Sequence, residues 1–313
     1  MPLLRLVKSE TDIKFIKQRS IAFVLSFLLI AGSIFQLVNT GLNFGIDFTG
    51  GTLVEIKTEG KADIADLRSR FSTLDLGSVS IQEFGAEDEV LIRIPQQDNA
   101  ETQNQTELME VVKGAIDDAV LEYRRVEFVG PQVGKELIVT GAKAVFFSLL
   151  GILAYIWIRF EWPFGLAAVG ALIHDTLLTM GFFAITQIEF NLSTVAAVLM
   201  IAGYSINDTV VVFDRVRENL RKYKRKLLGD VFDLSINQML ARTLMTSVTT
   251  LLALFALWFF GGEVIRGFIV TLIMGVLIGT YSSVYIATPL LLYIRPDTLR
   301  PEMEPVSKEP ATP

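Results

Sequence analysis

Cysteine is absent from the sequence, and histidine occurs once in 313 residues. Without cysteine the chain can form neither a disulfide framework nor a thiolate metal site, and we expect no metal and no cofactor. Charged residues are also few for a soluble enzyme: the chain is 51% hydrophobic and has a mean hydropathy of +0.47. The remaining question is whether this apolar character is spread evenly or gathered into segments.

It is gathered into six windows. A helix needs about 18 or more consecutive apolar residues to cross the hydrocarbon core of a bilayer. Such windows lie at 20–38, 139–158, 164–186, 192–213, 239–260 and 265–292. The first is longer than the apolar core of a usual signal peptide, and Leu37–Thr40 offers no small-x-small cleavage site. We therefore expect a signal anchor followed by five further transmembrane helices.

Four segments rich in basic residues fall on the same side when the six windows are threaded through a membrane. The side is marked by Lys8, Lys14, Lys17, Arg19, Arg159, Arg215, Arg217, Arg221, Lys222, Lys224, Arg225, Lys226, Arg295 and Arg300. Cytoplasmic loops carry an excess of Lys and Arg, so these segments are predicted to be cytoplasmic and both termini with them. The sequence thus predicts a multi-pass inner-membrane protein.

The predicted organisation has five parts. They are a cytoplasmic N-terminus (1–19), a first transmembrane helix (20–38), a periplasmic domain (39–138), a five-helix transmembrane region (139–294) with a basic cytoplasmic loop (214–236), and a disordered cytoplasmic tail (295–313). Residues 39–137 carry a net charge of −10 and the remainder carries +4. The acidic balance therefore belongs to the exported domain. The basic loop is interpreted as a cytoplasmic anchor, and we expect no nucleic-acid partner.

The exported domain has the element order of a ferredoxin-like fold. Its predicted elements are a half-buried strand at 52–57, a helix at 62–74, strands at 79–84 and 90–94 joined by an acidic turn at 85–89, a helix at 104–121 and a strand at 123–129. The order β-α-β-β-α-β matches the split β-α-β motif. The domain contains neither histidine nor cysteine, and its acidic residues are scattered. We interpret it as a binding or docking domain without a catalytic set.

The segment Gly130–Glu136 resembles a phosphate-binding loop only at first sight. It has three residues between its glycines where four are required, and Glu136 stands where Ser or Thr would bind magnesium. We predict instead a turn that directs the exported domain onto the second span.

His174 and Asp175 lie inside the third window. Ionisable residues within a span mark proton relays or pair with one another, and a packed polar pair is the alternative to a relay. Small residues recur every four positions in the sixth window: Gly267, Thr271, Gly275, Gly279 and Ser283. Such a stripe lets another helix approach closely, so it predicts a packing seam.

Asp208 and Arg242 are the most informative pair. Each is a charge inside an apolar span, which costs several kcal/mol unless it is paired or hydrated. Each lies six residues from the cytoplasmic end of its span, about 9 Å of helix rise, so similar depths are expected. Two interpretations remain open: a static ion pair, or a protonatable Asp208 beside a guanidinium that keeps its proton. Polar or small neighbours at helical spacing are Ser205, Asn207, Thr209, Thr246, Thr249 and Thr250.

Five segments, in order, resemble SecF, the smaller subunit of the SecD/SecF protein-export complex, which is related to the resistance–nodulation–division transporters. They are Gly45–Thr52, Phe128–Leu137, Ala171–Asp175, Ile201–Asn219 and Ala241–Thr250. The resemblance runs from about residue 15 to 294. It implies six transmembrane helices with a ferredoxin-like extracytoplasmic domain and a proton path through Asp208 and Arg242. Their positions within the spans make His174, Asp175, Ser205, Asn207 and Thr246 candidate auxiliary polar residues.

The resemblance also implies partners and a role. These are SecD, the SecYEG channel, YajC in many bacteria, the preprotein substrate and membrane lipid, in a non-enzymatic complex that uses the proton motive force to promote late preprotein translocation. A small-molecule or lipid exporter of the same superfamily is the alternative, although such exporters usually carry larger exported loops. An intramembrane aspartyl protease requires two facing aspartates, and here the charge facing Asp208 is Arg242.

Overall fold

A computed structural model describes residues 11–74, 76–77, 79–96 and 105–294. The helices are α1 (Arg19–Asn39), α2 (Ile46–Thr49), α3 (Ile64–Ser72), α4 (Gln105–Ile116), α5 (Pro131–Arg159), α6 (Trp162–Thr186), α7 (Leu192–Lys222), α8 (Leu228–Phe260), α9 (Arg266–Ser282) and α10 (Thr288–Ile294), and the strands are β1 (Gly51–Thr58), β2 (Ser80–Phe84), β3 (Ala86–Ile94) and β4 (Val120–Val129). In this described part, six helical spans are long and apolar enough to cross a membrane, as predicted. The predicted disordered tail, 295–313, lies outside the described residues.

The fourth and fifth spans continue beyond their apolar windows. α7 extends to Lys222 and α8 begins at Leu228, so the predicted loop at 214–236 is wrong and only 223–227 separates the helices. The reason is packing: Val216 on α7 and Phe232 on α8 are completely buried in one core cluster. α7 and α8 remain helical beyond their apolar windows because each has an apolar stripe between its charged residues.

The sixth span is interrupted. α9 ends at Ser282, a π-helical turn covers Ser283–Ala287, and α10 continues the span. The Thr288 hydroxyl donates to the carbonyl of Ser283 over 3.0 Å, five residues back. Single π turns inside α-helices are rare and are frequent at functional sites. This one determines where the side chains of Ser282 and Ser283 point.

The domain between the first two spans is ferredoxin-like, as predicted. Its antiparallel sheet has the order β2-β3-β1-β4, and α3 and α4 pack on one face. The predicted acidic turn at 85–89 is wrong. Gly85, with φ of 84°, alone makes the turn, and Ala86 already belongs to β3. Glycine suits that left-handed conformation because it has no Cβ.

Strand β1 was predicted to be half-buried, and this is also wrong. Val54 and Ile56 face the helices, and Leu53 and Glu55, on the other face, are buried too, at 4% and 6% exposure. The second face is covered because Ile46 of α2 packs against Leu53 and the adjoining strand β3. Beyond this contact, a cavity of about 370 Å³ separates the sheet from the ends of α6, α7 and α9.

The loop between α1 and β1 fastens the domain to the membrane bundle. The amide of Gly45 donates to the carbonyl of Phe190 over 2.9 Å, and the amide of Phe190 donates to the carbonyl of Asn43 over 2.8 Å. The carboxylate of Asp47 accepts from the amide of Leu192 over 2.9 Å. Negative charge is favourable there because the first amides of a helix are otherwise unsatisfied. The loop therefore caps α7.

The segment Gly130–Glu136 is helical, so the predicted turn is wrong. α5 begins at Pro131, where the fixed φ of proline suits the first helical position and its missing amide hydrogen costs nothing. Gly134 lies against the backbone of the α1–β1 loop, with the Phe48 carbonyl at 3.4 Å from the place of a Cβ. The sheet strand β4 thus runs almost directly into the second span.

Candidate functional site

Asp208 lies on α7, where two neighbouring spans meet it. Its Oδ1 accepts a hydrogen bond from the Thr243 hydroxyl of α8 over 2.6 Å, and its Oδ2 accepts one from the Ser283 hydroxyl of the π turn over 2.5 Å. The side chain is partly buried among the described residues. Three spans therefore converge on one carboxylate, and hydroxyl donors satisfy it.

Arg242 precedes Thr243 on α8, so it lies at the depth that sequence spacing indicates. Its side chain is exposed, and in the part of the chain that the structure describes it forms no ion pair within 4.0 Å. The static ion pair with Asp208 is thus not present. The guanidinium belongs to the residue next to Thr243, whose hydroxyl binds the Asp208 carboxylate. The structure fits a charge held beside the acid, not bonded to it.

Two of the auxiliary residues are not brought into the site. Asn207 is exposed on α7, on a different face from Asp208. Thr246 is exposed on α8, and its hydroxyl donates to carbonyls of its own helix, those of Arg242 and Thr243, over 3.2 and 2.9 Å. Both side chains point away from the interior of this chain.

His174 and Asp175 form a second polar centre. His174 is 4% exposed and Asp175 is 1% exposed. The imidazole Nδ1 lies 2.8 Å from Asp175 Oδ1, and Nε2 lies 3.0 Å from the Ser26 hydroxyl of α1. Asp175 Oδ2 accepts from the hydroxyls of Ser205 and Ser282 over 2.5 and 2.7 Å. Every carboxylate oxygen therefore has a donor, as a buried charge requires.

The two centres are adjacent. Ser205 and Asp208 lie one turn apart on α7, on the same face. Ser282 and Ser283 are consecutive and donate to Asp175 and Asp208 respectively. The interior of the bundle therefore contains two neighbouring networks of ionisable and hydroxyl groups, one that joins α1, α6, α7 and α9 and one that joins α7, α8 and the π turn.

The small-residue stripe lies where α9 meets α7. A Cβ on Gly275 would collide with the Ile201 side chain, and one on Gly279 would come within 3.0 Å of Ser205 Cβ. Thr271 is fully buried, its hydroxyl bonded to the carbonyl of Gly267 over 2.6 Å. This close approach brings the serines of the π turn within reach of both carboxylates.

Four hydroxyl groups of the site escape sequence reasoning: those of Ser26, Thr243, Tyr281 and Ser282. Each is a polar group in an apolar span, which is the feature that sequence analysis could have used to find it. Hydroxyls are nevertheless common in membrane helices, where they bond to carbonyls of their own turn. The signal that distinguishes these four is the facing carboxylate or imidazole, and it depends on helix rotation.

An ion pair lies at the junction between domain and bundle. Arg93 of β3 bonds to Glu189 in the α6–α7 loop, with side chains 12% and 20% exposed. The Nε of Arg93 is buried, and in the described part of the chain it lacks a hydrogen-bond partner. Burial raises the pKa of the neighbouring Glu55 carboxyl, against the opposing charges of Arg125 and Arg124. Among the described residues, no three acidic or histidine side chains are grouped to hold a metal ion.

Comparison with known proteins gives consistent matches. Residues 107–297 match the family model described as protein export membrane protein SecD/SecF, C-terminal, and residues 37–62 match the SecD/SecF GG motif. The chain is 44% identical to the protein translocase subunit SecF of Rickettsia rickettsii over 291 residues, which cover 92% of this chain and 94% of that protein. It is 46% identical to the SecF subunit of Cereibacter sphaeroides over 309 residues, 96% and 95% of the two chains.

The fold matches a solved structure as well. The crystal structure of SecDF from Thermus thermophilus, a translocon-associated membrane protein, superposes with a TM-score of 0.84 at 32% identity. The match covers 92% of this chain and 39% of that longer chain, so this chain spans about two fifths of it. The segment that caps α7 and the spans that carry both carboxylates lie inside the matched family regions. The chain therefore belongs to the SecD/SecF family of protein-export membrane proteins.

Proposed function

We propose that this chain is the SecF-type subunit of the Sec translocase accessory complex and that it uses the proton motive force, together with SecD, to promote preprotein translocation across the inner membrane. The observation that carries the proton-coupled part is the Asp208 carboxylate, held inside a membrane span by hydroxyls of two other spans. An acid retained at such a place is a functional site by default, because its ionised form is costly in the hydrocarbon region.

Proton binding at Asp208 would change helix contacts. The ionised carboxylate accepts from Thr243 on α8 and from Ser283 in the π turn. A protonated carboxyl has one O–H donor and fewer acceptor sites, so one of the two hydroxyls must turn away or accept instead. Loading and release of the proton therefore bias the packing of α7 against α8 or the sixth span. Arg242 keeps a permanent positive charge on the adjoining span.

A second membrane unit is needed to complete the site. Asn207, Arg242, Thr246 and Thr249 are polar and exposed on spans that would otherwise face lipid. Charged residues in spans face a bundle interior or water. The matched SecDF chain contains more than twice the sequence present here. We assign the unit that covers these polar residues to SecD, whose spans would pack on the α7–α8 face. The same role would bring the chain together with SecYEG, YajC and the preprotein.

The proposed placement is the inner membrane with both termini in the cytoplasm. The ferredoxin-like domain, 39–138, would then be periplasmic, beside emerging preprotein. The basic residues between Arg215 and Lys226 support this orientation by the positive-inside rule. The named SecF relatives do not favour the small-molecule or lipid exporter. Copurification of a SecD-type partner would support the proposal, whereas copurification of a periplasmic adaptor would support the exporter.

Asp208→Asn tests the mechanism. Inverted membrane vesicles that contain the variant complex should translocate preprotein with ATP alone as wild type does, and they should lose the gain that a membrane potential adds. One charge that crosses 100 mV provides about 2.3 kcal/mol, so we expect the loss of potential-driven translocation to be large. Asp214→Asn, on the same helix but bonded to Arg159 outside the apolar window, is the matched control and should keep it. Full stimulation in Asp208→Asn vesicles would refute the proposal.

A further inference from the structure

The imidazole of His174 has a hydrogen-bonded chain of its own. Nε2 lies 3.0 Å from Ser26 Oγ, and Ser26 Oγ lies 3.1 Å from the Tyr281 hydroxyl. The Tyr281 hydroxyl donates to the carbonyl of Ala22 over 3.1 Å. On the other side of the ring, Nδ1 faces Asp175. The chain crosses from α6 to α1 and on to α9, and His174 is the only histidine in the sequence.

We propose that His174 is a second proton-binding site of the bundle, with Asp175 as its positioning residue and Ser26 as the hydroxyl that turns between the two protonation states. The inference rests on the proposed function, which it extends from one ionisable centre to two.

The chain of hydrogen bonds is complete in both states. With a neutral ring, Nδ1–H donates to Asp175 and the Ser26 hydroxyl donates to Nε2, while the Tyr281 hydroxyl is shared between the Ser26 oxygen and the carbonyl of Ala22, each 3.1 Å away. When Nε2 takes a proton from hydronium, its new N–H donates to the Ser26 oxygen, and the Ser26 hydroxyl turns to donate to the Tyr281 oxygen. Tyr281 still donates to Ala22. No other bond forms or breaks, and release of the proton reverses the step.

Charge also favours two states. The neutral ring leaves Asp175 as an anion with three donors, His174, Ser205 and Ser282. The protonated ring makes a neutral pair with it, which a low-dielectric interior prefers to a single charge. Histidine is a common proton shuttle because its two ring nitrogens can both accept and donate a proton.

The surroundings of the ring contain few other titratable groups. From α6 the ring meets Asp175, from α9 it meets Tyr281 at 6.1 Å between ring centroids, and from α1 only the Ser26 hydroxyl. Tyr285 of the π turn stacks on Tyr281 at 5.4 Å. α7 contributes Ser205, and one turn further Asp208. The neighbouring residues Ser282 and Ser283 bond to Asp175 and Asp208 respectively, so the two centres lie next to each other.

A single histidine makes the test direct. The full-length chain, labelled with ¹⁵N-histidine and purified through a tag without histidine, is reconstituted into phosphatidylethanolamine–phosphatidylglycerol vesicles. Imidazole ¹⁵N shifts in solid-state NMR then report His174 alone. We expect the neutral Nδ1–H tautomer at the alkaline end of a pH series and the imidazolium at its acidic end. One unchanged state over the whole range, neutral or charged, overturns the proposal.

Function is tested with His174→Gln, whose amide can still donate to Asp175 but cannot carry a proton. Vesicles with this variant should lose most of the potential-dependent gain in translocation while the complex remains assembled. Ser26→Ala is the second variant: it retains the histidine and should lose the two-state NMR exchange. Full stimulation in His174→Gln overturns the proposal. A static His174 alongside an inactive Asp208→Asn would remove this site and leave the proposed function intact.

Discussion

Ser282 and Ser283 are consecutive residues, yet their hydroxyls donate to different carboxylates, Ser282 to Asp175 and Ser283 to Asp208. In a regular α-helix, neighbouring side chains point about 100° apart and rarely serve one site. Here the first residue ends α9 and the second begins the π turn. The turn thus joins two polar centres through one peptide bond.

Ser283→Ala should weaken proton coupling without unfolding the protein. Loss of a hydrogen bond to a charged group costs about 1.5–3 kcal/mol, and Asp208 would retain only Thr243. We expect a several-fold smaller potential-dependent gain in vesicle translocation. Ser282→Ala removes the equivalent bond from Asp175 instead and serves as the comparison. Equal translocation by Ser283→Ala and wild type would show that this hydroxyl is dispensable for Asp208.

Gly275→Ala should separate α9 from α7. The added methyl group collides with Ile201, a branched side chain with little freedom, and overpacking typically costs about 1–3 kcal/mol. Gly203→Ala on α7 is the control, since nothing lies within 4 Å of its Cβ position. Thermal unfolding in detergent should show a lower midpoint for Gly275→Ala only. Ile201→Ala should restore it in the double variant; no restoration would contradict this explanation.

Glu55→Gln should stabilise the exported domain at neutral pH. Burial raises the pKa of this carboxyl above its ordinary value of 4.5, so the folded domain binds more protons than the unfolded chain. Stability therefore falls as pH rises from 4.5 through the raised pKa. Hydrogen exchange of β1 amides in the full chain should slow in the variant at about pH 7.5 and match wild type at about pH 4. Glu122 is exposed, so the control variant Glu122→Gln should leave the exchange rate unchanged at both pH values. A wild-type exchange rate in Glu55→Gln at neutral pH would rule out a buried ionised carboxylate at this position.

The Arg93–Glu189 ion pair should hold the exported domain on the bundle. The native chain has no cysteine, so the pair Phe44→Cys and Phe190→Cys, at partner positions of a β-bridge, would report docking by disulfide formation. Glu189→Ala should slow cross-linking several-fold, because the buried guanidinium of Arg93 loses its counter-charge. Arg124→Ala breaks an ion pair with Glu89 inside the domain, so it serves as the control and should not slow cross-linking. Equal rates in all three would mean that the loop contacts alone maintain docking.

Much of the architecture follows from the sequence without further help. Six apolar windows become six spans because hydrocarbon thickness sets a minimum length, and the ferredoxin-like order follows from alternation and helical spacing between residues 52 and 129. The errors have local causes. The predicted loop at 214–236 is helical except for 223–227 because Val216 and Phe232 bury an apolar stripe between charged residues. The predicted turn at Gly130–Glu136 is helical from Pro131 onward, because proline suits the first position of α5.

The identity of the costly groups was also accessible from the sequence: Asp208, Arg242, His174 and Asp175 are conspicuous in apolar surroundings. Their partners were not. Whether Asp208 meets Arg242 or Thr243, and whether Ser26 reaches His174, depends on the rotation of each helix, the close approach at Gly275 and the one extra residue of the π turn. Burial cost is a property of a residue type, which composition reveals, whereas a hydrogen bond requires two helices at one angle, which only tertiary packing decides.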